Sequence, residues 1–291
     1  MAEVRIGVSG WRYAPWRGSF YPRGLPQRRE LEFIGQTFPT VELNGSFYSL
    51  QRPTSYERWR DATPPGFTFA VKGGRFITHL KALSDVDVPL ANFFASGVLA
   101  LGDRLGPVLW QLPARRRLDL DRVAQFLALL PRTTARAAEL AAGHDERLDG
   151  RALTTTDADR PLRHALEVRH ESFADEEFVQ LLRHHDVALV VSDGGESWPV
   201  FETPTAGLVY VRLHGAAELY VSGYDDAALR SWAAKVRRWH AAGHDVVVYF
   251  DNDAKVRAPF DALALTELLA DVAVPAPEGL RDVPDVGTLD R

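Results

Sequence analysis

The sequence reads LVYVRLH at residues 208–214, a short run in which every second side chain from Tyr210 onward is polar. Successive side chains of a β-strand point to opposite faces, so Tyr210, Arg212 and His214 share one face and Val209, Val211 and Leu213 share the other. The segment therefore predicts a strand that packs its apolar face on helices and turns its polar face into the protein. Barrel enzymes keep their catalytic groups at the carboxyl ends of such strands.

Four other segments show the same alternation. They are VELN at 41–44, FAVK at 69–72, LEVR at 166–169 and VYFD at 248–251. If the bulky faces meet the helices, charged side chains of both signs converge on one mouth of the protein. We expect the side chains at this mouth to be Glu42, Asn44, Lys72, Glu167, Arg169, Arg212, His214, Tyr249 and Asp251, with Ser9, Gln111 and either Ser192 or Asp193 nearby.

Short apolar runs recur along the whole chain, with amphipathic helical patterns between them. The candidate strands are Arg5–Val8, Thr40–Leu43, Thr68–Val71, Val108–Leu112, Leu166–Val168, Ala188–Val191, Leu208–Leu213 and Val246–Phe250. The helical patterns include Leu120–Leu130, Asp175–His184, Ala227–Ala242 and Pro259–Leu269. This alternation predicts an α/β fold, a single-domain (β/α)8 TIM barrel. An open doubly wound sheet is the alternative, weakened because no G-x-G-x-x-G segment follows the first strand.

Two segments interrupt the alternation. Residues Arg132–Pro161 join an alanine-rich helical piece to a loop rich in Thr, Asp and Arg, and we interpret them as an insertion before the fifth strand. Residues Val272–Arg291 are dense in Pro and Asp, which predicts a poorly ordered tail. The expected division is a barrel domain at 1–271 and a tail at 272–291.

Composition narrows the function classes. The 291 residues include no cysteine, which excludes disulfides, thiolate nucleophiles and Cys-ligated zinc. The net charge of −5 repels polyanions, so a nucleic-acid partner is not favoured and would need a local basic patch. The sequence shows neither a signal-like amino terminus nor an apolar stretch of about 18 residues, so we expect a cytoplasmic protein without a membrane partner.

The polar set predicts an enzyme that acts on a small anionic or phosphorylated substrate or on a phosphoester, with hydrolysis as the candidate reaction. The cations expected to hold the anion are Lys72, Arg169 and Arg212. Glu42 or Glu167 would be the general base and His214 the general acid. The other expected substrate contacts are Ser9, Trp11, Tyr13, Asn44, Gln111, Tyr249 and Asn252. On this hypothesis Arg212→Ala impairs ligand handling more than folding.

Other interpretations remain open. A divalent metal, Mg²⁺, Mn²⁺ or Zn²⁺, could bind at this mouth. Its candidate ligands are Glu167, Asp193, His214 and Asp251. Glu42 and Glu167 could instead hydrolyse a glycosidic bond. The aromatic and arginine residues at 11–22 could stack on bases or sugars, as in a non-catalytic nucleic-acid or nucleotide binder. Opposite charges inside the barrel could also simply pair with one another.

Seven blocks along the chain, in a fixed order, carry a resemblance to a known family. They are GVSGW at 7–11, VELNGSFY at 41–48, FAVK through ITH at 69–79, LGPVLWQLP at 105–113, LEVRH at 166–170, YVRLHG at 210–215 and YFDN at 249–252. Over nearly all of residues 4–270 the chain resembles the YecE-like family, described as domain of unknown function seventy-two. The resemblance implies a TIM-barrel fold and implies no established reaction.

Overall fold

Parallel β-strands form the centre of the molecule. The computed structural model describes residues 2–215, 222–253 and 255–275. Its strands are β1 Val4–Ser9, β2 Thr40–Leu43, β3 Thr68–Lys72, β4 Leu105–Gln111, β5 His164–Glu167, β6 Val187–Leu189, β7 Val191–Asp193, β8 Leu208–Leu213 and β9 Asp245–Phe250. Neighbouring strands pair in parallel in the order β6-β5-β4-β3-β2-β1-β9-β8-β7.

β6 and β7 complete the ring. Only Val190 separates them along the chain, and its backbone N–H donates to Leu166 O at 3.0 Å. β6 pairs with β5 and β7 pairs with β8, so the two pieces act as one strand that changes its partner half-way. The sheet thereby closes into a barrel, which confirms the predicted α/β fold. The predicted strand Ala188–Val191 falls across both pieces.

Helices surround the barrel. They are α1 Glu30–Thr37, α2 Gly45–Tyr48, α3 Pro53–Asp61, α4 Asp87–Ala95, α5 Leu120–Leu129, α6 Thr134–Ala141, α7 Glu176–His184, α8 Asp226–Ala241 and α9 Arg257–Leu268. Side chains that accept a hydrogen bond from the first helical turn define several helix starts, and these caps are Asp119, Thr133, Asp175 and Asp225. The helices α5, α7, α8 and α9 agree with the helical patterns in the sequence to within about two residues, the usual uncertainty of helix ends.

Apolar side chains fill the lumen of the barrel below its mouth. The buried lumen residues are Ala70, Leu109, Ala165, Ala188, Val190, Leu208, Tyr210, Val247 and Tyr249. Tyr249 OH lies 2.7 Å from Thr40 Oγ1, at the beginning of β2. The predicted substrate contact Tyr249 therefore lies in the layer beneath the mouth. Because this layer is filled, the carboxyl ends of the strands are the part of the barrel that a ligand can reach.

The segment 132–161 folds on the outside of the barrel. It contains α6 and a short 3-10 helix at Glu146–Leu148, and α6 packs on α4. Of the predicted tail, residues 272–275 are described, and Val274 N–H donates to Val4 O at 2.8 Å, beside the start of β1. Residues 276–291 lie outside the described residues.

His164, the first residue of β5, is buried on the helix-facing side of the sheet. Its Nδ1 accepts the Trp110 Nε1–H at 3.2 Å, and its Nε2 lies 2.8 Å from Pro131 O. One nitrogen thus accepts and the other donates, which is the pattern of a neutral imidazole. Burial lowers the pKa of His164 from 6.5 to about 4.

We expect this histidine to make the fold sensitive to acid. The stability that the neutral ring contributes is fully present above pH 6.5 and is lost as the pH falls through about 4, because the unfolded chain binds the proton first. The loss is roughly 3 kcal/mol. Urea unfolding of the parent protein and of His164→Gln between pH 7 and pH 4 measures this loss of stability. We expect the loss in the parent protein and not in His164→Gln. Equal acid sensitivity of the parent, His164→Gln and a His184→Gln control at an exposed histidine would contradict the prediction.

Candidate functional site

Arg212 is the centre of the barrel mouth. It lies on β8, is fully buried, and contacts three carboxylates. Nε and Nη2 donate to the two oxygens of Glu42 at 2.9 and 2.8 Å, Nη1 donates to Glu167 at 2.9 Å, and Nη2 donates to Asp251 at 2.8 Å. These four residues, here called the Arg212 cluster, come from four different strands or their ends. The cluster therefore ties opposite sides of the barrel together.

The remaining donors of Arg212 are also engaged. Nη1 lies 3.3 Å from His214 Nε2, and Nη2 lies 3.3 Å from Ser9 Oγ. A guanidinium has five N–H groups, and here the contacts to carboxylates, His214 and Ser9 account for all of them. These contacts leave no N–H group of Arg212 over for a substrate anion, so they do not support the predicted role of Arg212 in anion binding. Its guanidinium orders the carboxylates of the protein instead.

Glu42 is one of the two candidate general bases. Besides Arg212, its Oε1 accepts Ser9 Oγ–H at 2.6 Å and its Oε2 accepts Tyr210 O–H at 2.7 Å. Ser9 Oγ in turn accepts from Asn44 Nδ2 at 2.8 Å. With each oxygen bonded twice and the side chain fully buried, this carboxylate is fixed below the mouth and does not face a substrate.

Glu167, the other candidate base, is held in the same way. Its Oε1 accepts from Arg169 Nε at 2.6 Å and from Ser192 Oγ at 3.2 Å. Burial opposes the ionisation of Glu167, but the charges of Arg169 and Arg212 outweigh it and lower its pKa. A general base works best with a pKa near the operating pH. The geometry therefore does not support Glu167 in that role.

His214 is the candidate general acid, and it too is buried. Its Nδ1 lies 3.1 Å from Asp251 Oδ2, and the Trp198 ring packs edge-on against it at 5.4 Å between centroids. Because Nε2 faces the Arg212 guanidinium, the ring proton belongs on Nδ1. Burial and the Arg212 charge lower the pKa of His214 against the attraction of Asp251. His214 is thus a neutral support of the Arg212 cluster.

Lys72 differs from every residue of the cluster. It ends β3, is 8 % exposed, and forms no ion pair with any residue in the described ranges. Its Nζ lies 4.7 Å from the centre of the Phe47 ring. Burial and the neighbouring Arg212 lower the pKa of Lys72 from 10.5 to about 8, although Glu42, Glu167 and Asp251 act in the opposite direction. This amine can therefore contact a ligand at the mouth directly.

Further cations surround Lys72. Arg169, on the end of β5, stacks its guanidinium on Trp198, with Cζ 3.9 Å from the ring centre. Gln111, 8 % exposed, ends the intervening strand β4. Arg75 and Arg115 are exposed nearby. We call Lys72, Arg75, His79, Arg115 and Arg169 the cationic side of the mouth.

The strand patterns do not identify His79, which belongs to this side. It lies in a π-helical turn at Phe76–Leu80, a rare local structure that is frequent at functional sites. Burial lowers the pKa of His79, and so do four cations around it, namely Lys72, Arg169, Arg115 and Arg75. This shift marks a positive field on one half of the mouth. The family block that ends in ITH at 77–79 is the sequence signal that contains it.

Asp253 is a second residue that the strand patterns miss, although it continues the alternation of Tyr249 and Asp251 by two positions. Burial and the Asp251 charge raise the pKa of Asp253, whereas Arg212 and the His214 hydrogen bond overcome burial to lower the pKa of Asp251. Asp253 Oδ1 is buried without a hydrogen-bond partner in the described part of the chain. Two adjacent carboxyl groups with opposite shifts are typical of an acid–base site.

A cleft of about 370 Å³ opens at the carboxyl ends of β1 and β2, and its lining includes Trp11, Tyr13, Asn44 and Tyr48. Trp11 and Tyr13 thus border the mouth, as the sequence predicts. Tyr13 OH donates to Ser9 O at 2.5 Å, and Trp11 is only 8 % exposed. The rings of Trp11 and Tyr13 therefore leave little surface free for stacking on a base, whereas Tyr48 in the same cleft is exposed.

Two other predicted site residues point away from the Arg212 cluster. On β7 the inward position belongs to Ser192, so Asp193 faces outward and its Oδ2 accepts Tyr224 O–H at 3.1 Å. Asn252 Nδ2 donates to Asp261 on α9 at 2.8 Å. Asp193 was predicted as a metal ligand and Asn252 as a substrate contact, and both side chains are directed at other parts of the protein.

The predicted metal ligands do not assemble into a metal site. In residues 2–215, 222–253 and 255–275, no group of three or more His, Asp or Glu side chains is placed to hold an ion. Arg212 occupies the space between Glu167 and Asp251, and Asp193 lies elsewhere. The carboxylates therefore fit a guanidinium and not Mg²⁺, Mn²⁺ or Zn²⁺.

A family model described as "Protein of unknown function DUF72" matches residues 5–281. The chain belongs to the DUF72 family. Because the match covers the whole barrel, every residue of the mouth lies within the DUF72 region. No helix among the described residues is long and apolar enough to cross a membrane.

Two bacterial UPF0759 proteins are similar to this DUF72 chain. YunF of Bacillus subtilis (strain 168) is 35 % identical over 115 residues, which are 38 % of this chain and 40 % of YunF. YecE of Escherichia coli (strain K12) is 31 % identical over 129 residues, which are 44 % of each protein. The chain thus aligns with less than half the length of either relative.

Solved DUF72 structures share the fold. The family member from Thermotoga maritima has a TM-score of 0.73 at 24 % identity and covers 92 % of this chain and 99 % of its own. The member from Enterococcus faecalis V583 has a TM-score of 0.72 at 15 % identity and covers 96 % and 100 %. At these identities the likeness concerns the barrel and not the chemistry of its mouth.

Proposed function

We propose that this DUF72 protein is an enzyme that acts on a small anionic substrate, a phosphorylated compound or a phosphoester, at the mouth of the barrel. The observation that carries the proposal is Lys72, a largely buried amine without a carboxylate partner among the described residues. A buried charge is costly unless it is paired. A substrate anion would supply the missing partner.

The two sides of the mouth support different tasks. The cationic side would hold the anion through Lys72 and Arg169, where fixed cations stabilise developing negative charge. The acidic side of the mouth is formed by Asp251 and Asp253. There, burial favours the protonated form of Asp253, which could donate a proton to a leaving group. The Arg212 cluster would fix the strand ends that carry both sides. Hydrolysis of a phosphoester is the reaction that this division supports best.

The geometry favours this function over the two alternatives. A glycosidase needs one carboxyl group of raised pKa and a second that reaches the sugar, whereas Glu42 and Glu167 both bind Arg212 and the pKa of Glu167 is lowered. A nucleic-acid binder that stacks bases needs free aromatic faces, whereas in the segment 11–22, the predicted stacking surface, Trp16 is fully buried and Trp11 nearly so.

Inorganic phosphate tests the binding half of the proposal. We expect phosphate to raise the Tm above that in sodium chloride of equal ionic strength, since a ligand at about 100 times its Kd adds about 2.7 kcal/mol to stability. Lys72→Met should abolish most of this gain, and Lys72→Arg should retain most of it. Lys235→Met, on the outer helix α8, is the matched control. No gain beyond that of chloride in the parent protein would overturn the proposal.

The pH dependence follows from Lys72. Its ammonium form binds the anion, so the phosphate-dependent gain should decline as the pH rises from 7 to 10, after the amine loses its proton. A phosphate-dependent gain in Tm that is constant over this pH range would contradict the role of Lys72.

Catalysis is measured as the phosphate released from a panel of phosphate esters. In this assay Asp253→Asn should lower the rate about 10²- to 10⁴-fold, the usual effect of removing a general acid.

A further inference from the structure

Lysine is a rare residue in this chain. Of the 34 lysines and arginines, the lysines are Lys72, Lys81, Lys235 and Lys255, and all the others are arginines. An arginine stays charged in proteins, whereas a lysine can lose its proton when it is buried. A lysine at the mouth of an arginine-rich protein therefore offers a chemical property that arginine lacks.

The surroundings of Lys72 make the neutral amine more accessible than it is in an exposed lysine. Its stem is buried beside the Phe47 ring, and its Nζ has no hydrogen bond to the described residues yet is not sealed from solvent. Lys235, by contrast, forms an ion pair with Glu202 at 2.5 Å. Removal from water and a neighbouring cation are the two conditions that activate a lysine nucleophile. Lys72 meets both, because Arg212 lies within the electrostatic range that lowers its pKa.

Charged and titratable groups act on Lys72 from several elements of the barrel. The groups that shift the pKa of Lys72 are Arg212, Glu42, Glu167 and Asp251. The charge of Lys72 in turn lowers the pKa of His79. Burial and Arg212 outweigh the carboxylates, so the pKa of Lys72 falls to about 8. Compared with an ordinary lysine, such an amine holds roughly 200-fold more of its neutral form near pH 7.5.

We propose that Lys72 forms an imine with a carbonyl compound that also carries an anionic group. This inference rests on the proposed function, since the cationic side would hold the anionic group, and it narrows the substrate to aldehydes or ketones that bear a phosphate or carboxylate. The neutral Nζ attacks the carbonyl carbon, a C–N bond forms, and the carbonyl oxygen takes up a proton from solvent.

The resulting carbinolamine then loses water. Over the two steps its nitrogen gives up two protons to solvent, and the hydroxyl oxygen takes up a second proton as the C–O bond breaks and leaves as water, so that amine and carbonyl become imine and water without any oxidation or reduction. The imine withdraws electrons from the neighbouring carbon atom, as in other lysine enzymes that form Schiff bases. The cations on the same side, Arg169, Arg75 and Arg115, would hold the anionic group of the substrate.

Trapping with borohydride tests the proposal. Pyridoxal 5′-phosphate is an aldehyde with a phosphate, and pyridoxal is the same aldehyde without it. The parent protein is treated with each, reduced, digested and analysed by mass spectrometry, so that all four lysines are compared in one sample. We expect Lys72 to be labelled by pyridoxal 5′-phosphate at least about tenfold faster than Lys81, Lys235 or Lys255, with a midpoint near pH 8. Pyridoxal should label Lys72 about tenfold more slowly than the phosphorylated aldehyde, since it lacks the anion.

The Lys72→Arg variant separates this inference from the proposed function. It should lose the fast label at position 72 while keeping the gain in Tm that inorganic phosphate gives. If phosphate stabilises the parent protein but Lys72 is labelled no faster than the exposed Lys255, the imine inference is overturned and anion binding stands. If both aldehydes label Lys72 equally fast and phosphate adds no stability, anion binding is overturned and the reactive amine stands.

Discussion

Arg212→Met should destabilise the fold by about 3–5 kcal/mol, the cost of leaving buried charges without their partner. The substitution keeps the unbranched stem but leaves Asp251 and the fully buried Glu42 and Glu167 facing one another without a cation. Repulsion among three carboxylates then adds to the loss of their hydrogen bonds. Denaturant unfolding at pH 7 measures the effect as a shift in the free energy of unfolding.

A surface arginine provides the control. Arg136 pairs with Glu139 on the exposed face of α6, where an ion pair contributes less than about 1 kcal/mol, so Arg136→Met should change stability little. The Arg212→Met defect should also shrink when Glu42→Gln is added, because one of the stranded charges is then absent. A loss as small as that of Arg136→Met would show that the Arg212 cluster does not support the fold.

The parity of side chains made the barrel and the inward-facing set predictable. In a strand the side-chain period is two, so residues such as Glu42, Glu167 and Arg212 are assigned to one face without any coordinates. Parity alone left Ser192 and Asp193 as alternatives, and the strand register in the structure decides between them by placing Ser192 beside Arg212. Once one member of a strand is known to face inward, its neighbours follow.

The partners within the inward set were not predictable. The sequence shows that Arg212 and three carboxylates face the same space, but not that one guanidinium donates hydrogen bonds to all three. Which carboxylates bind Arg212 depends on differences in distance of a few tenths of an ångström, which arise from the shear and closure of the barrel. A candidate anion clamp and a structural ion cluster therefore have the same sequence pattern.

The groups missed by the strand patterns lie beyond the strand ends. His79 is carried by a π-helical turn and Asp253 by the loop after β9, where neither the period of a strand nor that of an α-helix applies. Their environment comes from several distant segments at once. For Asp253 these include Asp251, Tyr13 and Glu42, which the chain brings together only when the barrel closes.

Trp110→Ala should cost about 3–5 kcal/mol, as expected for removing a large buried ring. Trp110 lies on the helix-facing side of β4, is fully buried, and packs against Phe93 and Phe126 with ring centroids 5.3 and 5.4 Å away. Its Nε1–H also donates to His164 Nδ1, so the substitution removes a hydrogen bond as well as packing. Denaturant unfolding measures the decrease in the free energy of unfolding. A decrease no larger than that of a surface substitution would show that Trp110 does not contribute to the packing of the barrel.

The same ring should decide whether residue 73 tolerates a side chain. A Cβ atom at Gly73 would lie 2.2 Å from Trp110 Cε3, so Gly73→Ala should cost about 1–3 kcal/mol in the parent protein and close to nothing in Trp110→Ala. Gly207→Ala, where a Cβ meets nothing within 4 Å, is the control. Because Gly73 directly follows Lys72, the overlap that Gly73→Ala creates should also slow the labelling of Lys72. If Gly73→Ala lowers stability equally in the parent protein and in Trp110→Ala, the Trp110 ring does not fix the end of β3. The position of the Lys72 amine would then need another explanation.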